Sequence, residues 1–219
     1  MATQTLNYLD AIAHLPAGGT LILNDVPWDE YEQLLADLGE SAGVRVSYDQ
    51  GRLEIMSPSS RHERFVQLIT LLVWTAAEEM DLVIEGLGST TYKQEWLARG
   101  VEPDACFYIS NAKAIIGKER IDLRTDPPPD IVVEIDVSRE STRKLAIYAG
   151  MSVPEVWRYD GQQAHIYQLA GRDYVEVDAS PTFSDLTAEV LSRVLEQSKI
   201  EGQTAAQRSF RAWLRAQQH

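Results

Sequence analysis

Asp104, Glu134, Asp136 and Lys144 are the residues whose types and spacing can do chemistry. Glu134 and Asp136 interrupt a β-branched apolar run, Pro128-Pro129-Asp130-Ile131-Val132-Val133-Glu134-Ile135-Asp136-Val137. Prolines before a short Ile/Val-rich run mark the end of a loop and favour a buried strand over a helix. Alternate side chains on a strand share a face, so Val133, Ile135 and Val137 pack one way while Val132, Glu134 and Asp136 point the other. Two carboxylates then stand side by side near the strand's end. Buried like charges repel and each is costly to desolvate, so a fold keeps such a pair only with a cation, a shared proton or water beside it. Metal binding is one reading; the other is a strand end open to solvent, where both acids are simply hydrated.

Asp104 opens a second strand, Glu102 to Ile109, and Lys144 begins the helix that leaves the first one. Hard oxygen ligands favour Mg²⁺ or Mn²⁺. Such an ion offsets charge building on a phosphoryl group and acidifies a water, and a lysine beside that water holds it in line. The set therefore suggests phosphodiester hydrolysis. No His cluster or thiolate set proposes zinc, no Ser/His/Asp arrangement can be assigned, and no glycine-rich phosphate loop is present. Cys106 is the only cysteine, so no internal disulfide forms, and a small apolar filler in a strand is its expected role.

These residues need elements to hold them. The chain lacks clear periodicity over 1–20, with a turn at Pro16-Ala17-Gly18-Gly19 and a short strand expected at Leu21–Leu23. Tyr31, Leu34, Leu35 and Leu38 recur at helical spacing between Trp28 and Gly39, with Asp25 as the expected cap and Pro27 just inside. Val44–Tyr48 and Arg52–Met56 flank a hairpin turn at Asp49-Gln50-Gly51, and Glu54 reads as part of a solvated hairpin face. A helix follows Ser57-Pro58-Ser59-Ser60, carrying an apolar stripe of Phe65, Leu68, Ile69, Leu72 and Ala76 and, in its first turn, His62 and Glu63. His62 is either part of the site or a hydrogen bonder at the helix start. Short strands are expected at 82–84 and 90–94, and a short helix within 110–127. Ser141 or Thr142 caps the helix from Lys144 to Gly150; a hairpin spans Pro154–Tyr159 and Ala164–Leu169, followed by a strand at Tyr174–Val177. Helices are expected from Ser184-Asp185 and from Thr204 to the end, Trp213 suiting a subunit contact. Trp74 and Trp157 read as core. Strands interleaved with helices give an α/β or α+β fold with a mixed sheet.

At 219 residues, the chain suffices for one substantial core or one domain with an appendage. We expect a domain over 1–180 and a helical extension over 181–219 that packs on it or at a dimer interface. No apolar run reaches bilayer length and no leader pattern opens the chain, so a cytoplasmic location is expected. The formal charge of −13 argues against non-specific nucleic-acid binding. Residues 1–60 hold nine acids against Arg45 and Arg52, a net of −7, leaving −6 for the other 159. Lys113, Lys118, Arg120 and Arg124 precede the Glu134 strand and Arg139, Arg143 and Lys144 follow it; a solvated surface is the ordinary explanation of such runs.

Val101-Glu102-Pro103-Asp104, Pro128 to Glu134, Lys144-Leu145-Ala146-Ile147-Tyr148 and Val153-Pro154-Glu155-Val156-Trp157, with Met56-Ser57-Pro58 and His62 upstream, resemble the signature blocks of the bacterial putative restriction endonuclease family, a branch of the PD-(D/E)xK nuclease superfamily. The resemblance covers about residues 20–180. It implies a restriction-endonuclease-like fold, a central mixed sheet flanked by helices, and a divalent-metal phosphodiesterase site in which Asp104 matches the first acid and Glu134 the second. The superfamily pattern places lysine two residues after the second acid; here that position is Asp136, and Lys144 on the next helix occupies the matching place. His62 and Glu63 would complete such a site.

Three functions follow from these readings. The first is a Mg²⁺- or Mn²⁺-dependent deoxyribonuclease with Asp104 and Glu134 as ligands and Lys144 positioning the water, DNA as partner and a homodimer compatible with double-strand cutting. The second is a catalytically silent binding protein on the same fold, and the third a metal phosphoesterase acting on RNA or a small substrate.

Overall fold

The computed structural model describes residues 2–39, 43–136 and 143–217. Val137, Arg139, Ser141 and Thr142, named above for packing, charge or capping, lie outside these. The first element is a helix, α1 (Ala2–Ala13), where the sequence shows no clear period. Then come β1 (Thr20–Leu23), α2 (Trp28–Leu38), β2 (Arg45–Asp49), β3 (Arg52–Met56), α3 (Ser60–Glu79), β4 (Glu85–Gly86), β5 (Tyr92–Gln94), β6 (Arg99–Val101), β7 (Ala105–Tyr108), α4 (Ala112–Ile115), β8 (Ile131–Ile135), α5 (Lys144–Gly150), β9 (Glu155–Tyr159), β10 (Ala164–Ala170), β11 (Asp173–Val177), α6 (Ala188–Glu201) and α7 (Gln203–Gln217). None of the described helices is long and apolar enough to cross a membrane.

The strands form two sheets rather than the single one expected. A five-stranded antiparallel sheet runs β1-β3-β2-β6-β5, and a six-stranded sheet runs β11-β10-β9-β8-β7-β4. Among the described residues only the β8–β9 pair is parallel, Ile131 facing Glu155 through Ile135 facing Tyr159, and this one pairing makes the second sheet mixed. Parallel neighbours need a crossover, and α5 lies within it.

β8 is buried along its whole length. Val133 and Ile135 enter a core shared with α3, α6 and α7, in which Phe65, Leu72, Leu191, Leu195, Phe210 and Leu214 meet, while Val132 enters a second cluster with Ile147 and Tyr148 of α5. A strand covered on both faces explains why its sequence is a continuous β-branched run. The third cluster lies around the five-stranded sheet, where Tyr31 of α2 stacks on Tyr48 of β2 at 4.7 Å.

Some sequence expectations are displaced. Asp25 does not cap α2: it sits in a turn at φ 56°, and Pro27 is the capping residue. The strand expected at 82–84 is the two-residue β4 at 85–86, and α6 begins at Ala188 behind Thr187, whose hydroxyl accepts from the Val190 N–H, rather than at Ser184. Trp74 is 44% exposed, lying off the α3 stripe and over Gly86, whereas Trp157 is buried as expected. The tight hairpin behaves as read, with Gln50 at φ 49° and Gly51 at φ 98° closing β2 onto β3.

Gly100 in β6 marks a close approach: a Cβ there would stand 2.0 Å from the Tyr31 hydroxyl oxygen. Gly100→Ala should therefore lower unfolding free energy in urea by about 1–3 kcal/mol through overpacking. Tyr31→Phe, which deletes a buried hydroxyl with no hydrogen-bond partner, should recover part of that loss in the double variant.

Candidate active site

The chain passes from one sheet to the other through Glu102-Pro103-Asp104, between β6 and β7. Proline has no N–H to give a ladder, so pairing lapses there. Glu102 anchors the crossing on the first sheet, accepting from the Val46 N–H at 2.9 Å and the Thr91 hydroxyl at 2.7 Å. Asp104 anchors it on the second. Its N–H donates to the Val133 carbonyl at 3.1 Å and its carboxylate Oδ2 accepts the Ile135 N–H at 2.7 Å. The carboxylate thus takes the ladder position that a β7 carbonyl would otherwise fill. Since Asp104 spans Val133 and Ile135, the intervening Glu134 is brought to the same place.

Asp104 Oδ2 also pairs with His62 Nε2 at 3.0 Å. His62 reaches it from the first turn of α3, whose start is fixed by Ser59 accepting the His62 N–H at 3.2 Å. The other oxygen, Oδ1, is buried without a hydrogen-bond partner and faces Arg45 Nε at 3.7 Å, beyond hydrogen-bond range. Glu134 Oε2 accepts from Lys144 Nζ at 2.7 Å, and Oε1 accepts from the Tyr148 hydroxyl. Lys144 and Tyr148 are four apart on α5, so one helix face holds both carboxylate oxygens. Asp136 does not share Glu134's surroundings: it accepts from Arg158 of β9 at 2.7 Å and 3.2 Å.

A cleft of about 50 Å³, room for a few waters, opens between Glu134, Asp136, Lys144, His62, Ser59 and Glu54. Asp104 stands behind His62. Glu63 is half-exposed on the far side, its Oε1 3.5 Å from both Arg45 Nη2 and His62 Nδ1. Glu54 corrects the solvated-hairpin reading: its side chain is mostly covered, pairs with Arg52 at 2.7 Å and lines the cleft. β1 continues the sheet beside β3, and Thr20 of β1 and Lys144 of α5 line the cleft with Glu54. Tyr148, Arg158 and Arg45 were not singled out from sequence; only Tyr148 carried a signal, the four-residue spacing from Lys144.

Residues 28–199 match the family model described as Uma2, putative restriction endonuclease. The chain belongs to that family. A crystal structure described as that of a putative nuclease belonging to DUF820, from Anabaena variabilis ATCC 29413, has a similar fold, with TM-score 0.53 and 16% identity over 77% of this chain and 98% of that one. No curated protein matches the chain. In this Uma2 protein the parallel β8–β9 pair, with α5 in its crossover, carries Glu134, Lys144 and Tyr148.

The electrostatics follow from burial. Burial opposes ionisation of Asp104, but the His62 hydrogen bond, the nearby Lys144 charge and the Ile135 N–H outweigh it and hold the carboxyl below its usual range. Burial likewise opposes the His62 cation, and Asp104 outweighs it, raising the imidazole. Glu134 is pushed up to about 7, by burial first and by the Asp104 charge, with Lys144 and Tyr148 opposing. Lys144 is raised, since Glu134 and Asp104 overcome its burial. The two partners of the Lys144–Glu134 pair thus shift as if each favoured the proton. An ammonium within reach of two carboxylates gives up its proton last, so Glu134 is the member that titrates near neutrality.

These oxygen donors fit a divalent cation. Asp104 Oδ1 is an anionic acceptor left unsatisfied in the interior, and Glu134 supplies a second hard oxygen. Among the described residues no group of three or more His, Cys, Asp or Glu side chains is placed to hold a metal ion, so these two carboxylates are the donors considered.

The Glu134 shift predicts a pH dependence for the metal-free protein. Its folded value of about 7 exceeds the ordinary 4.5, so between those limits the folded state holds a proton that the unfolded chain has released. Stability therefore falls as pH rises through this window, by at most about 1.4 kcal/mol per pH unit. His62 slopes the same way and Asp104 acts only at lower pH. Denaturant unfolding from pH 4.5 to 7.5 should show a shallower decline in Glu134→Gln than in the natural protein.

Proposed function

We propose that this protein is a divalent-metal-dependent endonuclease that hydrolyses DNA phosphodiesters. The observation that carries the reading is that Asp104, bonded across to the strand of Glu134 and with its Oδ1 lacking a hydrogen bond, stands behind His62 at a water-sized cleft lined by the Glu134–Lys144 pair. Family membership supports nuclease chemistry. Asp104 and Glu134 would hold Mg²⁺ or Mn²⁺. When bound, such an ion supplies Lewis acidity, offsetting charge on the phosphoryl oxygens and acidifying a water.

The chain's own groups do the rest. Lys144 enters from α5 and brings its amine to the strand end, where the superfamily lysine would project from position 136. There it orients a water through its remaining N–H donors and adds positive charge where negative charge develops. Asp136, neutralised by Arg158, leaves that role to Lys144. His62 positions Asp104 by holding Oδ2, so that Oδ1 remains the free donor oxygen, and Tyr148 fixes the Glu134 carboxylate plane. Side chains that hold a ligand in this way typically change metal affinity 10- to 100-fold when removed.

Calorimetric titration with Mg²⁺ or Mn²⁺ should give a binding signal that Glu134→Ala abolishes and Tyr148→Phe weakens by about tenfold or more. Asp104→Ala should abolish metal-dependent cleavage of duplex DNA; retained cleavage would overturn the assignment.

A silent binding protein on the same fold is favoured by one observation: both Glu134 oxygens are already satisfied by Lys144 and Tyr148. It requires no divalent-cation heat at the cluster in the natural protein, with or without DNA, and no cleavage of any DNA or RNA substrate.

A further inference from the structure

His62 and Ser59 line the cleft, and the neighbouring residues of α3 line a second opening. This is a groove of about 770 Å³ between the start of α3 and the α6–α7 junction, bordered by Arg61, Arg64, Phe65, Ser198, Lys199 and Gln203. Helical geometry puts Arg61, Arg64 and Phe65 on one face and His62 about 100° round from Arg61, so cleft and groove are separated by less than a turn of helix. The groove is built, not splayed: Gln203 Nε2 donates to the Arg64 carbonyl at 2.8 Å, tying α7 to α3, and Lys199 Nζ donates to the Gly161 carbonyl at 3.0 Å while lying 5.7 Å over the Phe65 ring.

Its charge is the reverse of the protein's. Lys199 is paired with Glu196. Arg61 and Arg64 are exposed, and among the described residues neither guanidinium lies within ion-pair or hydrogen-bond distance of a partner, although Glu196 feels the Arg61 charge as well as that of Lys199. In a chain of net charge −13, two exposed arginines and a lysine set against the one carboxylate of Glu196 beside the proposed reaction centre are a local exception. We infer that this groove binds the sugar-phosphate backbone of the DNA flanking the scissile phosphate, with Arg61 and Arg64 as the phosphate contacts. The inference rests on the nuclease reading and extends it to a surface outside the site. Phe65 is buried to 5% exposure and forms the floor, so the groove offers no aromatic platform for stacked bases. Hydroxyl, amide and guanidinium donors at its rim suit phosphate oxygens, which position a duplex without reading its sequence. The segregation also answers the charge objection: overall acidity opposes diffuse adhesion to DNA, while local cations retain a strand that has reached the cleft.

The test is fluorescence anisotropy with a labelled 30-base-pair duplex in Ca²⁺ over a salt series, comparing the natural protein with Arg61→Ala/Arg64→Ala, alongside turnover of bis(p-nitrophenyl) phosphate in Mn²⁺. Both arginines are exposed, so the variant should keep its melting temperature. Loss of two phosphate contacts should weaken duplex binding about tenfold at low salt and reduce the slope of log K against log salt by about 2, with small-diester turnover unchanged. Unchanged affinity and slope in the variant, with the natural protein binding duplex and turning over the small diester, would overturn the groove alone. An equal fall in small-diester turnover would overturn it too, by placing the arginines' effect at the reaction centre. Absence of both duplex binding and diester turnover in the natural protein would defeat the nuclease reading along with the groove.

Discussion

The hydrogen bond from the Ile135 N–H to the Asp104 carboxylate is the contact on which the site's geometry depends. A β-strand normally satisfies its N–H groups with a neighbour's carbonyls. Here the neighbour has left the ladder at Pro103 to cross between sheets, and a carboxylate supplies the missing acceptor. An N–H left unpaired at that depth would cost about 1–3 kcal/mol, so the acid at 104 serves the fold whether or not it serves chemistry. The same contact fixes the distance between Asp104 and the strand that carries Glu134. Placement and function are therefore coupled: residues that align the two acids also close the sheet.

Charge balance at the strand end shows how so many ionisable groups are tolerated. Asp104 is opposed by His62 and faced by Arg45, Glu134 by Lys144, and Asp136 by Arg158. The four cations facing these three acids come from four different elements: α3, β2, α5 and β9. Buried pairs of this kind add little net stability compared with apolar packing, but removing one partner strands the other in the interior. Asp136 illustrates the consequence for specificity of role. With Arg158 on its carboxylate it is an ion pair beside the cleft, while Lys144 arrives from the crossover helix to stand at Glu134.

Legibility from sequence followed the range of the interactions. The β8 strand, the α3 stripe and the β2–β3 hairpin were readable because their signals are local: β-branched composition, 3.6-residue spacing, a two-residue turn. The grouping of Asp104, Glu134 and Lys144 rested on their residue types and on the elements expected to carry them, and the family resemblance then matched the two acids to a motif; nothing in the spacing of residues 104 and 134 says that one's carboxylate bonds the other's strand. Arg45 and Arg158 were invisible because their partners lie 59 and 22 positions away. The second sheet was missed for the same reason, β6 being three residues long and identified only by its neighbours. α1 was missed because its apolar residues that pack on the core, Tyr8, Leu9 and Ile12, lie in its second half behind a polar opening of Thr3-Gln4-Thr5, too short a run to read as a period.

Because its cations are internal, this strand end is neutralised without an external ion, unlike a zinc finger, where metal binding is the folding energy. On the reading proposed above, this has a consequence for affinity. To hold such an ion Glu134 would have to release Lys144 from Oε2 and give up a proton that burial helps it keep up to about pH 7. Substrate phosphate changes that balance in two ways. Its oxygens are of the hard type such an ion would take, and it would offer Lys144 a second anionic partner, so the amine would not be left uncompensated if Glu134 served as a ligand. On that reading, the Lys144 charge is the one that must find another partner before Glu134 can serve as a ligand.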